Sequence, residues 1–171
     1  MNFAISIGQT GNTLLGKLWI GCTAAGLAAV DFEPLSHADF CKKLEKRGYH
    51  QIVAEPASVQ MAVAQVEEYL SGCRKVFTLP IDWSGISEFQ RRVLQLTCEI
   101  PYGKVSTYRE LARRVQKPNS ARAVGRAEAT NPMPLVIPCH RVIGSDHRLH
   151  GYAGPGGMKT KAWLLEMENQ S

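Results

Sequence analysis

The sequence predicts a two-part molecule: a small α/β domain over residues 1–79, a connection at 80–86, and a mostly helical domain over 87–171 containing a helix-turn-helix. Three observations predict it. Short apolar or alternating runs divided by glycine-containing turns fill the start of the chain. Capping sequences open successive helices in the second half. Basic charge collects there too: residues 1–85 carry 7 Lys+Arg against 8 Asp+Glu, and residues 86–171 carry 13 against 7.

The first domain is read in chain order. "FAISIG", "KLWIGC" and "LAAVDF" are three strands. "SHADFCKKLEKRG" is a short helix with a basic outer face, and "ASVQMAVAQVEEYLSG" a second one. Val59, Val63, Val66 and Leu70 recur at helical spacing in the latter, and Gly72 closes it. "KVFTLPIDW" adds an extended segment. His37 and His50 are isolated and read as surface or core residues.

In the second domain Ser87 and Gln90 form a capping box, and the helix they open buries Phe89, Val93, Leu96 and Ile100. "IPYGK" breaks it. Thr107 and Glu110 cap a short helix reaching about Val115. "QKPN" turns the chain, and Ser120 starts "SARAVGRAEA". The last two helices form the helix-turn-helix, whose second helix normally meets DNA. Val124 and Ala127 face the core, while Arg122, Gly125, Arg126 and Ala129 lie opposite, with Ala121 nearby. Small residues let a backbone approach a surface closely, and arginines meet phosphates. Such a face suits weakly sequence-specific contact in a minor groove better than base reading in a major groove. A solvent-facing alanine-rich helix is the plainer alternative.

Composition excludes several classes. Hydrophobic content of 44% and charged content of 20% are ordinary for a soluble globular chain. No apolar run approaches the roughly 20 residues that cross a bilayer. "MNFAISIGQTGN" lacks the basic and apolar regions of a signal peptide, so an intracellular protein is expected. Five cysteines, without a CxxC pair, make neither a disulfide framework nor a ribbon-type zinc site, and fit a reducing compartment. A net charge of +5 fits either a polyanion-binding face or a solvated surface.

"PLVIPCHRVIG", residues 134–144, holds the chemistry. The apolar run reads as a buried strand ending at Pro138. Cys139 is a structural thiol, a metal ligand or a nucleophile. Adjacent His140 and Arg141 favour the nucleophile, because cationic or hydrogen-bonding neighbours lower a thiol pKa. Neighbours on an extended chain point to opposite faces, however, so His140 acts on Cys139 directly only if the chain turns.

"IPCHRVIG" resembles the active-site signature of the O6-alkylguanine-DNA alkyltransferases. "SEFQRRVLQLTCEIPYGKVSTYRELA", "ARAVGRAEATNPMPLVIPCHRV" and "LHGYAGPGGMKTKAWLLEME" match that family in order and spacing, over about residues 80–171. The N-terminal half is only loosely similar. The resemblance implies a ribonuclease-H-like α/β domain followed by a winged helix-turn-helix-like one. It implies irreversible, single-turnover transfer of a methyl or alkyl group from O6 of guanine, and O4 of thymine, in double-stranded DNA to Cys139. It implies base flipping through the minor groove, a monomer, no cofactor, and a cytoplasmic, nucleoid-associated protein in a prokaryote.

Residue by residue, Arg122 matches the arginine that replaces the flipped nucleotide, and Ala121, Ala123 and Gly125 the small residues that let its helix enter the groove. Tyr108 matches the tyrosine that reaches the base; a phenol there can protonate the departing guanine. The backbone carbonyls of Cys139 and Val142 match acceptors for the guanine amine. Tyr152 and Ala153 fall on the pocket loop, where the family often has Ser at Ala153 and a shorter form of "AGPGG". Asn131 matches a hinge asparagine, His140 the histidine that deprotonates Cys139 through a water, and Glu168 the acid that orients His140. Arg141 and Lys161 are expected as supporting charges, and His147 and His150 as solvent-facing. Cys22 falls near a zinc position of some members, but Ala28 stands where their histidine is, so no metal is expected.

Three rivals stay in view: a non-catalytic binder of alkylated DNA, whose members replace the cysteine; a thiol-dependent hydrolase, which needs a further acid or amide beside the histidine; and a plain helix-turn-helix regulator, which has no use for "PCHR".

Overall fold

Alternation of apolar residues builds the sheet of the first unit. Ile5 and Ile7 of β1 (Ala4–Gln9), Leu18 and Ile20 of β2 (Leu18–Thr23), and Leu27, Ala29 and Phe32 of β3 (Gly26–Phe32) are buried. β1 and β3 each pair antiparallel with β2, and a bulge at Gly21/Cys22 shifts the second register. These are the three strands expected. A fourth, β4 (Gln51–Ala54), pairs parallel to β1 with Ile5 opposite Ile52, giving the order β3-β2-β1-β4. The computed structural model describes residues 4–32, 35–152 and 154–170.

Two helices complete this unit. Ser36 caps α1 (His37–Lys46), its hydroxyl accepting from the Asp39 amide at 3.1 Å. Phe40 and Leu44 of α1 join Ile5, Ile7 and Tyr49 in the core, and Trp19 stacks on Phe40. Pro56 opens α2 (Pro56–Leu70), which buries Val59, Ala62, Val66 and Tyr69 and packs on β1. The approach requires Gly8: a Cβ there would come within 2.5 Å of Val59. Residues 80–82, expected to begin a connection, are held by β3 instead. The Leu27 amide donates to the Pro80 carbonyl, the Asp82 amide donates to the Leu27 carbonyl, each at 2.8 Å, and the Thr23 hydroxyl donates to Asp82. The chain divides into compact units between Gly85 and Ile86.

The second unit is helical: α3 (Glu88–Cys98), α4 (Tyr108–Arg114), α5 (Ala121–Ala129) and α6 (Met158–Asn169). Val93, Ile100, Leu111, Val115, Val124 and Val142 form its core, each such burial contributing about 1.5–3 kcal/mol before entropy. The Ser87 cap is only half of a capping box. Its hydroxyl accepts from the Gln90 amide, while the Gln90 side chain donates to the Thr130 carbonyl at 3.1 Å, closing the far end of α5. Thr107 caps α4 by accepting from the Glu110 amide. Gln116, at φ 61°, turns the chain toward α5.

"PLVIP" is not a strand. Leu135 takes φ 73°, Asn131 donates to the Ile137 carbonyl at 2.9 Å, and Cys139–Arg141 forms a 3-10 turn. The strand comes after it. β6 (Val142–Ile143) pairs parallel with β5 (Ser106–Thr107), which sets the start of α4, and so Tyr108, beside the cysteine turn.

Candidate active site

A cavity of about 430 Å³ in the second unit is lined by residues of α4, α5, the cysteine turn and the loop before α6. Of the residues singled out in the sequence, Tyr108, Ala121, Arg122, Gly125, Cys139 and Tyr152 line it. Ala123 is exposed on the same helix, beside exposed Arg122 and Arg126. Ala153 lies outside the described residues. Asn131, His140, Val142, Lys161 and Glu168 are buried or half-buried behind the walls, with Arg141.

Cys139 is 7% exposed. Burial pushes its thiol up to about 12, and the Glu128 carboxyl adds to that rise; a hydrogen bond from Asn131 and the charge of Lys161 pull the other way. The expectation that its neighbours would lower this pKa is therefore corrected. Desolvation outweighs the nearby cations, and the resting cysteine is a thiol at neutral pH.

His140 is fully buried. Its Nε2 lies 2.8 Å from Glu168 Oε1. Burial lowers its pKa further than Glu168 raises it, so the ring is neutral. Nε2 then carries the proton and donates to Glu168, leaving Nδ1 as the basic nitrogen. Because residues 139–141 form a turn, the alternation that would separate Cys139 from His140 on a strand does not apply.

Glu168 gathers several donors. Arg141 Nε donates to both oxygens at 3.1 and 3.0 Å, its Nη2 donates to Oε1 at 2.9 Å, and the Gly103 amide donates to Oε2 at 2.9 Å. Arg141 also donates to the Ile100 carbonyl at 2.7 Å. The buried ion pair thus has nearly all its hydrogen-bonding capacity filled, the condition for tolerating buried charge. Glu166, two residues earlier on α6, is exposed and accepts from Gln170.

Lys161 is fully buried and donates to the carbonyls of Val142 at 2.6 Å and His150 at 2.8 Å. It ties α6 to β6 and to the pocket loop, and still leaves the Val142 carbonyl a second lone pair. The Tyr108 hydroxyl lies 3.5 Å from both Lys161 Nζ and the His150 carbonyl, and partial burial raises its pKa to about 12. Tyr152 has a buried hydroxyl without a hydrogen-bond partner among the described residues. Its ring sits so close to Gly154 that a Cβ there would come within 2.3 Å.

Among the lining residues that the sequence does not assign to the site are His150 and Glu128. His150, expected to face solvent, lines the cavity although its imidazole reaches Asp146 at 3.2 Å. Glu128 lines it as well, only 4% exposed, with Oε1 2.6 Å from Thr97 Oγ1 and Oε2 without a hydrogen-bond partner among the described residues. A signal for Glu128 does exist: Val124 and Glu128 are four residues apart, so a carboxylate shares the buried helix face. Among the described residues no group of three or more His, Cys, Asp or Glu side chains stands together as a metal set. Cys22 is on β2, its thiol pushed up to about 11 by burial. No helix among the described residues is long and apolar enough to cross a membrane.

Two family models match the chain. Residues 9–83 fit the ribonuclease-like domain, and residues 88–170 the DNA-binding domain, of 6-O-methylguanine DNA methyltransferase. A methylated-DNA--protein-cysteine methyltransferase of Shigella flexneri is 39% identical over 163 residues, 91% of each chain. One of Methanosarcina mazei is 39% identical over 146 residues, 85% of this chain and 90% of that one. The crystal structure of Mycobacterium tuberculosis OGT in complex with DNA superposes with a TM-score of 0.78 at 30% identity, covering 98% of this chain and 93% of the other. With both domains matched and relatives aligned over nine-tenths of their length, the chain belongs to the 6-O-methylguanine DNA methyltransferase family.

Proposed function

We propose that the chain reverses alkylation damage in DNA directly, moving the alkyl group from O6 of guanine, or O4 of thymine, onto Cys139 in a single turnover. The observation that carries this reading is the burial of Cys139 in the wall of a base-sized cavity edged by Arg122. The base leaves the stack to reach it. Exposed Arg122, Ala123 and Arg126, with half-buried Gly125, form a face narrow enough for the minor groove and charged enough for phosphate. The protein acts as a monomer, in the cytoplasm of a prokaryote.

In the reaction the Cys139 proton passes to the basic nitrogen of His140 through a water, and Glu168 steadies the resulting imidazolium. The sulfur forms a bond to the alkyl carbon as that carbon's bond to O6 breaks. The guanine takes a proton from Tyr108, whose phenol is neutral at physiological pH. Carbonyls of Cys139 and Val142 hold the exocyclic amine. The alkyl–sulfur bond of a thioether does not hydrolyse, because a thiolate is a poor leaving group from an unactivated alkyl carbon, so the protein is consumed. The test is stoichiometry. Duplex DNA carrying radiolabelled O6-methylguanine in excess should transfer one methyl per protein and stop; continued turnover would overturn the reading.

A further inference from the structure

Glu128 takes no part in the reaction just described, yet it lies in the same cavity wall as Cys139. The geometry around it speaks for a particular protonation state. Thr97 Oγ1 lies 3.0 Å from the Val93 carbonyl oxygen and 2.6 Å from Glu128 Oε1, and a hydroxyl has one proton. If Glu128 were ionised, two acceptors would compete for that proton, and Oε2 would be a buried carboxylate oxygen without a donor among the described residues. If Glu128 is protonated, it donates to Thr97, Thr97 donates to Val93, and every polar atom in the relay but a neutral carbonyl oxygen is served.

We infer that Glu128 is a positioning residue of the transfer reaction, which as the neutral acid permits Cys139 to ionise and as the carboxylate holds it protonated. The inference rests on Cys139 being the acceptor. The charged and titratable groups around Glu128 are Cys98 of α3, Tyr108 of α4, Cys139 of the turn and Lys161 of α6. Arg109, Arg122 and His150 line the shared cavity. Burial pushes the Glu128 carboxyl up to about 7, while Thr97 and Lys161 oppose the rise. Docking a base would strip more water from it and favour the neutral form further. Glu128 exchanges no atom in the step. Its charge acts on the sulfur across the protein interior, where a unit charge is felt more strongly than across the same distance of water.

The test is the pH dependence of methyl transfer in the native chain and in Glu128→Gln, with the methylated peptide identified in each. The ratio of the variant's rate to the native rate should climb roughly fivefold or more between about pH 6 and pH 8.5, because glutamine cannot ionise. A ratio constant across that range overturns the inference. Methyl found elsewhere than Cys139 overturns the acceptor assignment, and the inference with it, and is distinguished by the peptide that carries it. Should Glu128→Gln fail to fold, 13C NMR of the native chain labelled at glutamate carboxyls decides the matter instead. One resonance should titrate near neutrality; all resonances titrating in the ordinary carboxylate range would refute it.

Discussion

His140 Nε2 stands 2.8 Å from Glu168 Oε1, with both side chains wholly out of solvent. That contact settles which nitrogen of the ring carries its proton, and so which one is basic. It also links the cysteine turn to α6, because Arg141, one residue on, grips the same carboxylate.

Replacing Glu168 with glutamine should therefore be felt twice. The Arg141 charge loses its counter-ion in a buried setting, a change that typically costs about 3–5 kcal/mol. Denaturant unfolding followed by probes in the second unit should show a loss of that order. In the fraction that remains folded, methyl transfer should slow, since an amide can turn its NH2 toward the ring and favour the wrong tautomer. Unchanged stability would contradict the account of the buried cluster.

Arg122 is exposed on α5, and its removal should leave the fold alone. Arg122→Ala should weaken binding to duplex DNA of any sequence and reduce the slope of log affinity against log salt by about one. It should also slow transfer to Cys139 in duplex DNA far more than transfer from the free base O6-benzylguanine, which needs no extrusion. Equal losses on both substrates would argue against a role in opening the duplex.

Stability should depend on pH through two buried groups of opposite sign. The Glu128 carboxyl is raised from its ordinary range to about 7, so the fold holds its proton where the unfolded chain has lost it. That contribution is full below the unfolded pKa and is lost as pH rises toward 7 and above. A shift of this size corresponds to about 3 kcal/mol. His140 is shifted down, so the fold excludes a proton that the unfolded chain binds; its contribution is present above the unfolded value of about 6.5 and is lost as pH falls below it. Glu128→Gln should accordingly be more stable than the native chain at pH 8 and lose that advantage at pH 5, as thermal melts across the range would register.

Much of the architecture is legible because its residues announce themselves locally. β1, β2 and β3 follow from apolar alternation, and Ser87 and Thr107 each cap a helix. β4 is not legible: its four residues are mostly exposed, and only its pairing with β1 makes it a strand. "PLVIP" misleads for the converse reason. A buried apolar run looks the same as a strand or as the irregular segment it is, and the deciding contact, Asn131 to Ile137, joins residues six apart. At the site, the motif locates Cys139 and its surroundings but not its electrostatics. Adjacent cations suggest a lowered thiol pKa, whereas burial, which no short stretch of sequence reports, dominates it. Glu128 shows in the sequence only through its spacing from Val124, which puts a carboxylate on the buried face of α5.

The central claim is that Cys139 is the sole acceptor. Duplex DNA carrying O6-methylguanine, mixed with the protein and followed by peptide mass mapping, tests it most directly. The account predicts one added methyl on the peptide containing Cys139, none on those containing Cys22, Cys41, Cys73 or Cys98, and no transfer by Cys139→Ser. A methyl on any other residue, or transfer that survives Cys139→Ser, would contradict it.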